Sequence, residues 1–120
     1  MKTNVTDPCR PIILVIAPEV LVARDIEMIV RDHLPKAEVV LARTLSHALD
    51  TLPHGSIAMA FAQLDPAAIV ISPLSERLAA DGGRMVILSD NSNSDLPAGW
   101  VTLPLPFTTE DVAALLQAAR

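Results

Sequence analysis

Tyrosine is missing from this chain, and Trp100, Phe61 and Phe107 are its only aromatic residues. Any core must therefore be aliphatic, drawn from an apolar share of 51% that excludes disorder of the chain as a whole. Cysteine occurs once, at Cys9, so no disulfide can close within the chain and a reducing compartment is expected. Cys9 lies in a polar lead-in and reads as a bystander, not as a ligand or nucleophile. Lysine and arginine form no runs, and the formal net charge is −5. Nucleic acid, which requires a positive footprint, is not an expected partner. No apolar run approaches the roughly 20 residues that span a bilayer. The opening MKTNVTDPCR also lacks the apolar stretch of a secretory signal. The expectation is a cytoplasmic protein with no membrane partner.

What the sequence does contain is alternation between buried-strand runs and amphipathic helices. Residues 1–10 read as a lead-in and 11–120 as one domain, long enough for a single core. Pro11–Ala17 is a run of branched aliphatics, the pattern of a strand covered on both faces. From Glu19 to His33, Leu21, Val22, Ile26, Ile29 and Val30 recur at helical spacing, and Leu34-Pro35 ends that helix. Ala37–Leu41 is a second strand; Thr44 caps a helix predicted through Leu52, with Leu45, Ala48, Leu49 and Leu52 inward. Ser56–Gln63 is a third strand, rich in alanine, which lets a helix pack closely over it.

The run AAIVI at 67–71 fits a loop, an extra helical turn or a short strand equally well. Ser72-Pro73 opens a helix that Gly82-Gly83 closes. Arg84–Ser89 is the fourth strand, DNSNSDLPAG (90–99) a polar turn-rich stretch, and Trp100–Leu103 the fifth strand. Thr108 caps a final helix to Ala119, with Asp111 placed for a reciprocal bond. Strands alternating with helices in this way predict a parallel α/β sheet covered on both faces.

Several chemistries lack their motifs. There is no GxGxxG, no GxxxxGK[ST] and no GxSxG. His33, His47 and His54 are scattered and have no zinc-ligand spacing.

ILVIAPEVLVARDIEMIVRD (13–32), MVILSD (85–90) and LPLPFTTEDVAALL (103–116), in this order and spacing, resemble the receiver domain of two-component response regulators. The resemblance runs from about Pro11 to Ala119. It implies a flavodoxin-like, doubly wound five-stranded sheet in the order 2-1-3-4-5, with the fourth helix, between strands four and five, short or missing. It also implies a cis bond at Leu105-Pro106. In that family an acidic pair after strand one helps hold Mg²⁺, and an aspartate ending strand three accepts a phosphoryl group. A Ser/Thr ending strand four and a lysine before the final Pro-Phe contact the phosphoryl oxygens. Carboxylate oxygens suit a hard cation, and a carboxylate can serve as nucleophile.

Carried over by position, the acidic pair falls on Ala17 and Pro18, the phosphoacceptor on Gln63 with Phe61 as a rival placement, and the lysine on Leu105. Ser89 alone matches the family's residue type. Neither Gln63 nor Phe61 can form an acyl phosphate, so the site reads as dismantled and apolar. Glu19, Asp65 and Asp90 could form a residual polar or weak cation site at the carboxyl edge. Helix capping and loop solvation are the simpler account of them.

The resemblance therefore implies a stand-alone, non-enzymatic pseudo-receiver in two-component or phosphorelay signalling. It would have no cofactor and would work by binding a signalling protein (a histidine kinase or another regulator) or a second copy of itself. The competing expectations are a small-molecule-binding or enzymatic α/β domain using the carboxyl edge, and a receiver phosphorylated at an unusual residue.

Overall fold

Ile12–Ile16 is buried along its whole length, as an interior strand of a sheet covered on both faces must be. In the computed structural model, which describes residues 11–52, 55–89, 96, 97 and 99–118, this is β1. It is followed by α1 (Val20–His33), β2 (Glu38–Ala42), α2 (Leu45–Asp50), β3 (Ile57–Ala62), α3 (Pro66–Val70) and α4 (Pro73–Asp81). The chain continues through β4 (Arg84–Leu88), β5 (Val101–Leu103) and α5 (Thr109–Ala118). The five strands form one parallel sheet in the order β2-β1-β3-β4-β5. Both the class and the strand order are those expected.

Successive side chains on a strand point to opposite faces, and the core divides accordingly. Ile13 and Val15 of β1 join Met59, Phe61, Val86, Leu88 and Leu103 in the layer packed against α1 and α5. Ile12, Leu14 and Ile16 join Ala60, Ala62 and Ile87 in the layer under α2, α3 and α4. Phe61 is the one aromatic ring in the middle of the sheet, with no exposed surface. Burying a side chain of that size stabilises the fold by about 1.5–3 kcal/mol. The alanines of β3 leave room for α4. The turn from α4 into β4 also passes close to β3: at Gly83 a Cβ would stand 2.2 Å from the Ile57 carbonyl oxygen.

The ambiguous AAIVI run becomes a helix. Asp65 accepts a hydrogen bond from the Ala67 N–H (3.0 Å), and Pro66 occupies the first helical position, where a missing N–H costs nothing. Only Ile69 of that run is buried; Ile71 remains 87% exposed. Ser72 opens α4 by position, but its hydroxyl donates back to the Ile69 carbonyl (2.7 Å) and does not cap the helix. Gly82 closes α4 in the left-handed region, at φ 71°.

α2 stops at Asp50, short of the expected Leu52, where the Thr51 hydroxyl takes up the His47 carbonyl (2.9 Å). At α5 the reciprocal cap forms as expected. The Thr108 N–H donates to Asp111 (3.0 Å) and the Asp111 N–H to the Thr108 hydroxyl (3.1 Å). The Leu105-Pro106 bond is cis.

No helix is found between β4 and β5 among the described residues. Of the expected polar stretch at 90–99, residues 90–95 (Asp90 among them) and 98 lie outside the described residues, as do Cys9 and His54. Five helices are nevertheless present among the described residues, because α3 and α4 both occupy the connection from β3 to β4. No helix among the described residues is long and apolar enough to cross a membrane.

Candidate functional site

The carboxyl ends of β1, β3 and β4 define the edge where open α/β sheets bind ligands, and β1 beside β3 is the point where strand order reverses. Parallel register aligns these ends: Ile16 pairs with Ala62, and Ala62 with Ile87. The residues leaving the strands are therefore neighbours. Ala17 is buried, and its N–H donates to the Ala42 carbonyl (2.9 Å). Pro18 and Glu19 follow it into solvent.

Gln63 is the first residue past β3, with its N–H on the Ile16 carbonyl (2.8 Å). Phe61, the rival placement, lies inside the strand and wholly in the core. Ser89 is the first residue past β4, half-buried, and its N–H reaches the Leu103 carbonyl (3.2 Å). Leu105 is half-buried and packs against the layer under α1 and α5. Leu105 is thus packed against the core where the family's lysine would reach toward a phosphoryl group.

A polar contact crosses this edge from β3 to β1. The Gln63 side-chain Nε2 donates to the Glu19 carboxylate, joining the ends of β3 and β1. The other amide atom, Gln63 Oε1, is buried and has no hydrogen-bond partner. A buried acceptor left unmatched costs about 1–3 kcal/mol.

Asp65 does not join this pair, since its carboxylate is engaged at the start of α3. Among the described residues no three His, Cys, Asp or Glu side chains gather as a metal site would require. His33 turns its Nδ1 to the Ile29 carbonyl of its own helix (3.0 Å), and His47 is exposed on α2.

Sequence reasoning places Gln63 and Glu19 at the edge separately, without the bond between them; 44 positions separate the two, and only the β1–β3 register joins them. Sequence reasoning also misses a second feature of this edge. A cavity of about 160 Å³ opens between the start of α1 and the end of β2, lined by Ala17, Val20, Leu41, Arg24 and Arg43 among others. A hint of it lies in the sequence: Val20 and Arg24 share one face of α1 at a spacing of four.

No family model matches the sequence. No curated protein matches it either. Solved structures do match. Against the chemotaxis response regulator CheY4 of Vibrio cholerae the TM-score is 0.68 at 12% identity, covering 92% of this chain and 99% of that one. Against the signal receiver domain of an HD domain-containing protein from Pseudomonas fluorescens Pf-5 it is 0.70 at 14% identity, covering 99% and 92%. Against SdrG from Sphingomonas melonis Fr1 it is 0.64 at 24% identity, covering 95% and 98%. The chain has the fold of a response-regulator receiver domain. At these identities the likeness reaches the fold and no further.

Proposed function

We propose that this domain is a pseudo-receiver: a signalling module that has lost phosphoryl chemistry and acts by docking to a protein, whether a histidine kinase, another regulator or a second copy. The observation that carries this reading is the composition of the carboxyl edge. Ala17 and Pro18 stand after β1, Gln63 after β3, and Leu105 before the cis Pro106. Phosphoryl transfer to a receiver requires a carboxylate nucleophile and cations that offset charge on the transferred group. An amide is not such a nucleophile. The amide here is instead tied to the Glu19 carboxylate. The signalling role of the structural neighbours, a chemotaxis response regulator and a signal receiver domain among them, supports the same reading.

A receiver fold without phosphorylation can still switch, provided a partner binds two conformations with different affinity. The test is intact-mass spectrometry after incubation with acetyl phosphate and Mg²⁺, beside a receiver known to be phosphorylated as a positive control. The expected result is an unchanged mass. An adduct of about 80 Da, the mass of one phosphoryl group, would overturn the reading and favour phosphorylation at an unusual residue. Turnover or binding of a metabolite at this edge would favour an enzymatic or small-molecule role.

A further inference from the structure

β1 and β2 run parallel with Ile16 beside Ala42, so the segments leaving them stand side by side at the carboxyl edge. The cavity of about 160 Å³ lies there. Its walls include Ala17, Val20 and Leu41; the latter two are among the large apolar side chains this domain leaves exposed. Arg24 and Arg43 border it, both exposed. Neither has an ion pair among the described residues. By contrast, Arg31 pairs with Glu27 and Arg77 with Asp81, each within its own helix. On a chain of net charge −5, two arginines left without carboxylates thus flank a single apolar opening.

Size and charge together select the occupant. Sites that enclose whole small molecules run to about 300–1,000 Å³. A cavity of about 160 Å³ is too small for that, and suits one aliphatic side chain whose parent chain lies outside. The flanking guanidiniums favour carboxylates on that parent chain.

We propose that this cavity is the anchor site for an acidic segment of a partner protein, with one aliphatic side chain seated among Ala17, Val20 and Leu41 and neighbouring Asp or Glu side chains meeting Arg24 and Arg43. This deepens the docking role proposed above and rests on it. The two can nevertheless fail separately, because Gln63 does not line this cavity. Phosphoryl uptake would sink the pseudo-receiver reading whatever binds here. Failure of the cavity would leave the mass result standing.

The experiment is selection of a random peptide library displayed on phage against the purified chain, followed by fluorescence anisotropy of the enriched peptides. The expected consensus is one Leu, Ile or Val flanked by Asp or Glu. The double charge reversal Arg24→Glu/Arg43→Glu should weaken binding about tenfold or more, and raised salt should weaken the wild-type complex. Leu41→Ser should weaken it several-fold without altering charge. All three side chains are at least partly exposed, and circular dichroism of each variant confirms that the fold persists. Three outcomes overturn the proposal: no enrichment, a neutral or basic consensus, or an affinity unchanged by either the arginine reversal or Leu41→Ser.

Discussion

Gln63→Asp places a carboxylate at the end of β3 and tests the contact between Gln63 and Glu19. The wild-type amide donates to Glu19, and the substitution replaces that donor with a second negative charge beside the first. Two unit charges about 4 Å apart repel by about 1 kcal/mol in water and about 4 kcal/mol at an effective dielectric of 20. Glu19 is exposed, so the lower part of that range applies. Losing a hydrogen bond to a charged group adds about 1 kcal/mol after solvent competes for the freed carboxylate. Gln63→Asp should therefore destabilise the domain by about 2–3 kcal/mol at pH 7.

Gln63→Leu is the control. It removes the donor but also the unmatched buried Oε1, so it should fall within about 1 kcal/mol of wild type. The pH dependence isolates the charge. Repulsion raises the folded-state pKa of the new carboxyl above its unfolded value, so the folded state binds more protons. The penalty is full at neutral pH and fades as pH falls through that raised pKa. Urea denaturation of the three proteins between pH 7 and pH 4.5 reads this directly. A Gln63→Asp protein as stable as Gln63→Leu at pH 7, or a gap between them that does not narrow on acidification, would refute the reasoning.

Two further substitutions test how the sheet is held to α4. The Asp81 carboxylate accepts the Ile57 N–H (2.9 Å) at the start of β3 and the Arg77 Nε–H (2.9 Å). The Ile57 bond holds its pKa below the ordinary 3.8; burial works against this and the Arg77 guanidinium assists it. A depressed folded pKa means that this stabilisation is present above the unfolded value and lost as pH falls through the folded one. Asp81→Asn should cost about 1–2 kcal/mol at pH 7 and flatten the acid limb of the stability curve below pH ~5, and an acid limb identical to wild type would count against the clasp. Gly83→Ala places a methyl 2.2 Å from the Ile57 carbonyl oxygen and 2.8 Å from Leu78 Cδ2, so the turn between α4 and β4 must move away from β3. It should cost about 2–3 kcal/mol in urea denaturation, against about 1 kcal/mol for Gly82→Ala, which meets open space and suffers only from its positive φ.

The sheet was legible because its signals are local. Ile12–Ile16 and Met85–Leu88 are aliphatic enough to require cover on both faces, and Thr44, Asp65 and Thr108 with Asp111 mark helix starts by side-chain chemistry that acts within a few residues. The run 67–71 was not legible from periodicity, being too short and too uniformly apolar to favour 3.6 over 2. Its helix is set by Asp65 and Pro66 upstream. The edge was legible only in its residue types. Choosing Gln63 over Phe61 depends on where β3 ends, and strand ends are the least certain feature of a sequence pattern. The Gln63–Glu19 and Asp81–Ile57 bonds join residues 44 and 24 positions apart and leave no local trace.

The two halves of the carboxyl edge bear on each other through α1. An acidic residue at 17 would stand in the cavity wall that Arg24 also borders, where a guanidinium could neutralise it in the absence of a cation. With Ala17 and Pro18 there instead, the turn into α1 carries only Glu19, and that carboxylate is engaged by Gln63. Arg24 is left with no acid of the described chain to meet, and Ala17 becomes an apolar wall of the cavity that Arg24 borders. On the proposed reading, the substitutions that end phosphoryl chemistry are therefore the same ones that make the β1–β2 side suitable for an acidic, aliphatic-anchored partner. That link is itself exposed to test. In Ala17→Asp the new carboxylate would compete for Arg24 and place charge in the anchor wall, so peptides selected against the wild-type chain should lose affinity even though Gln63 and its bond to Glu19 are untouched.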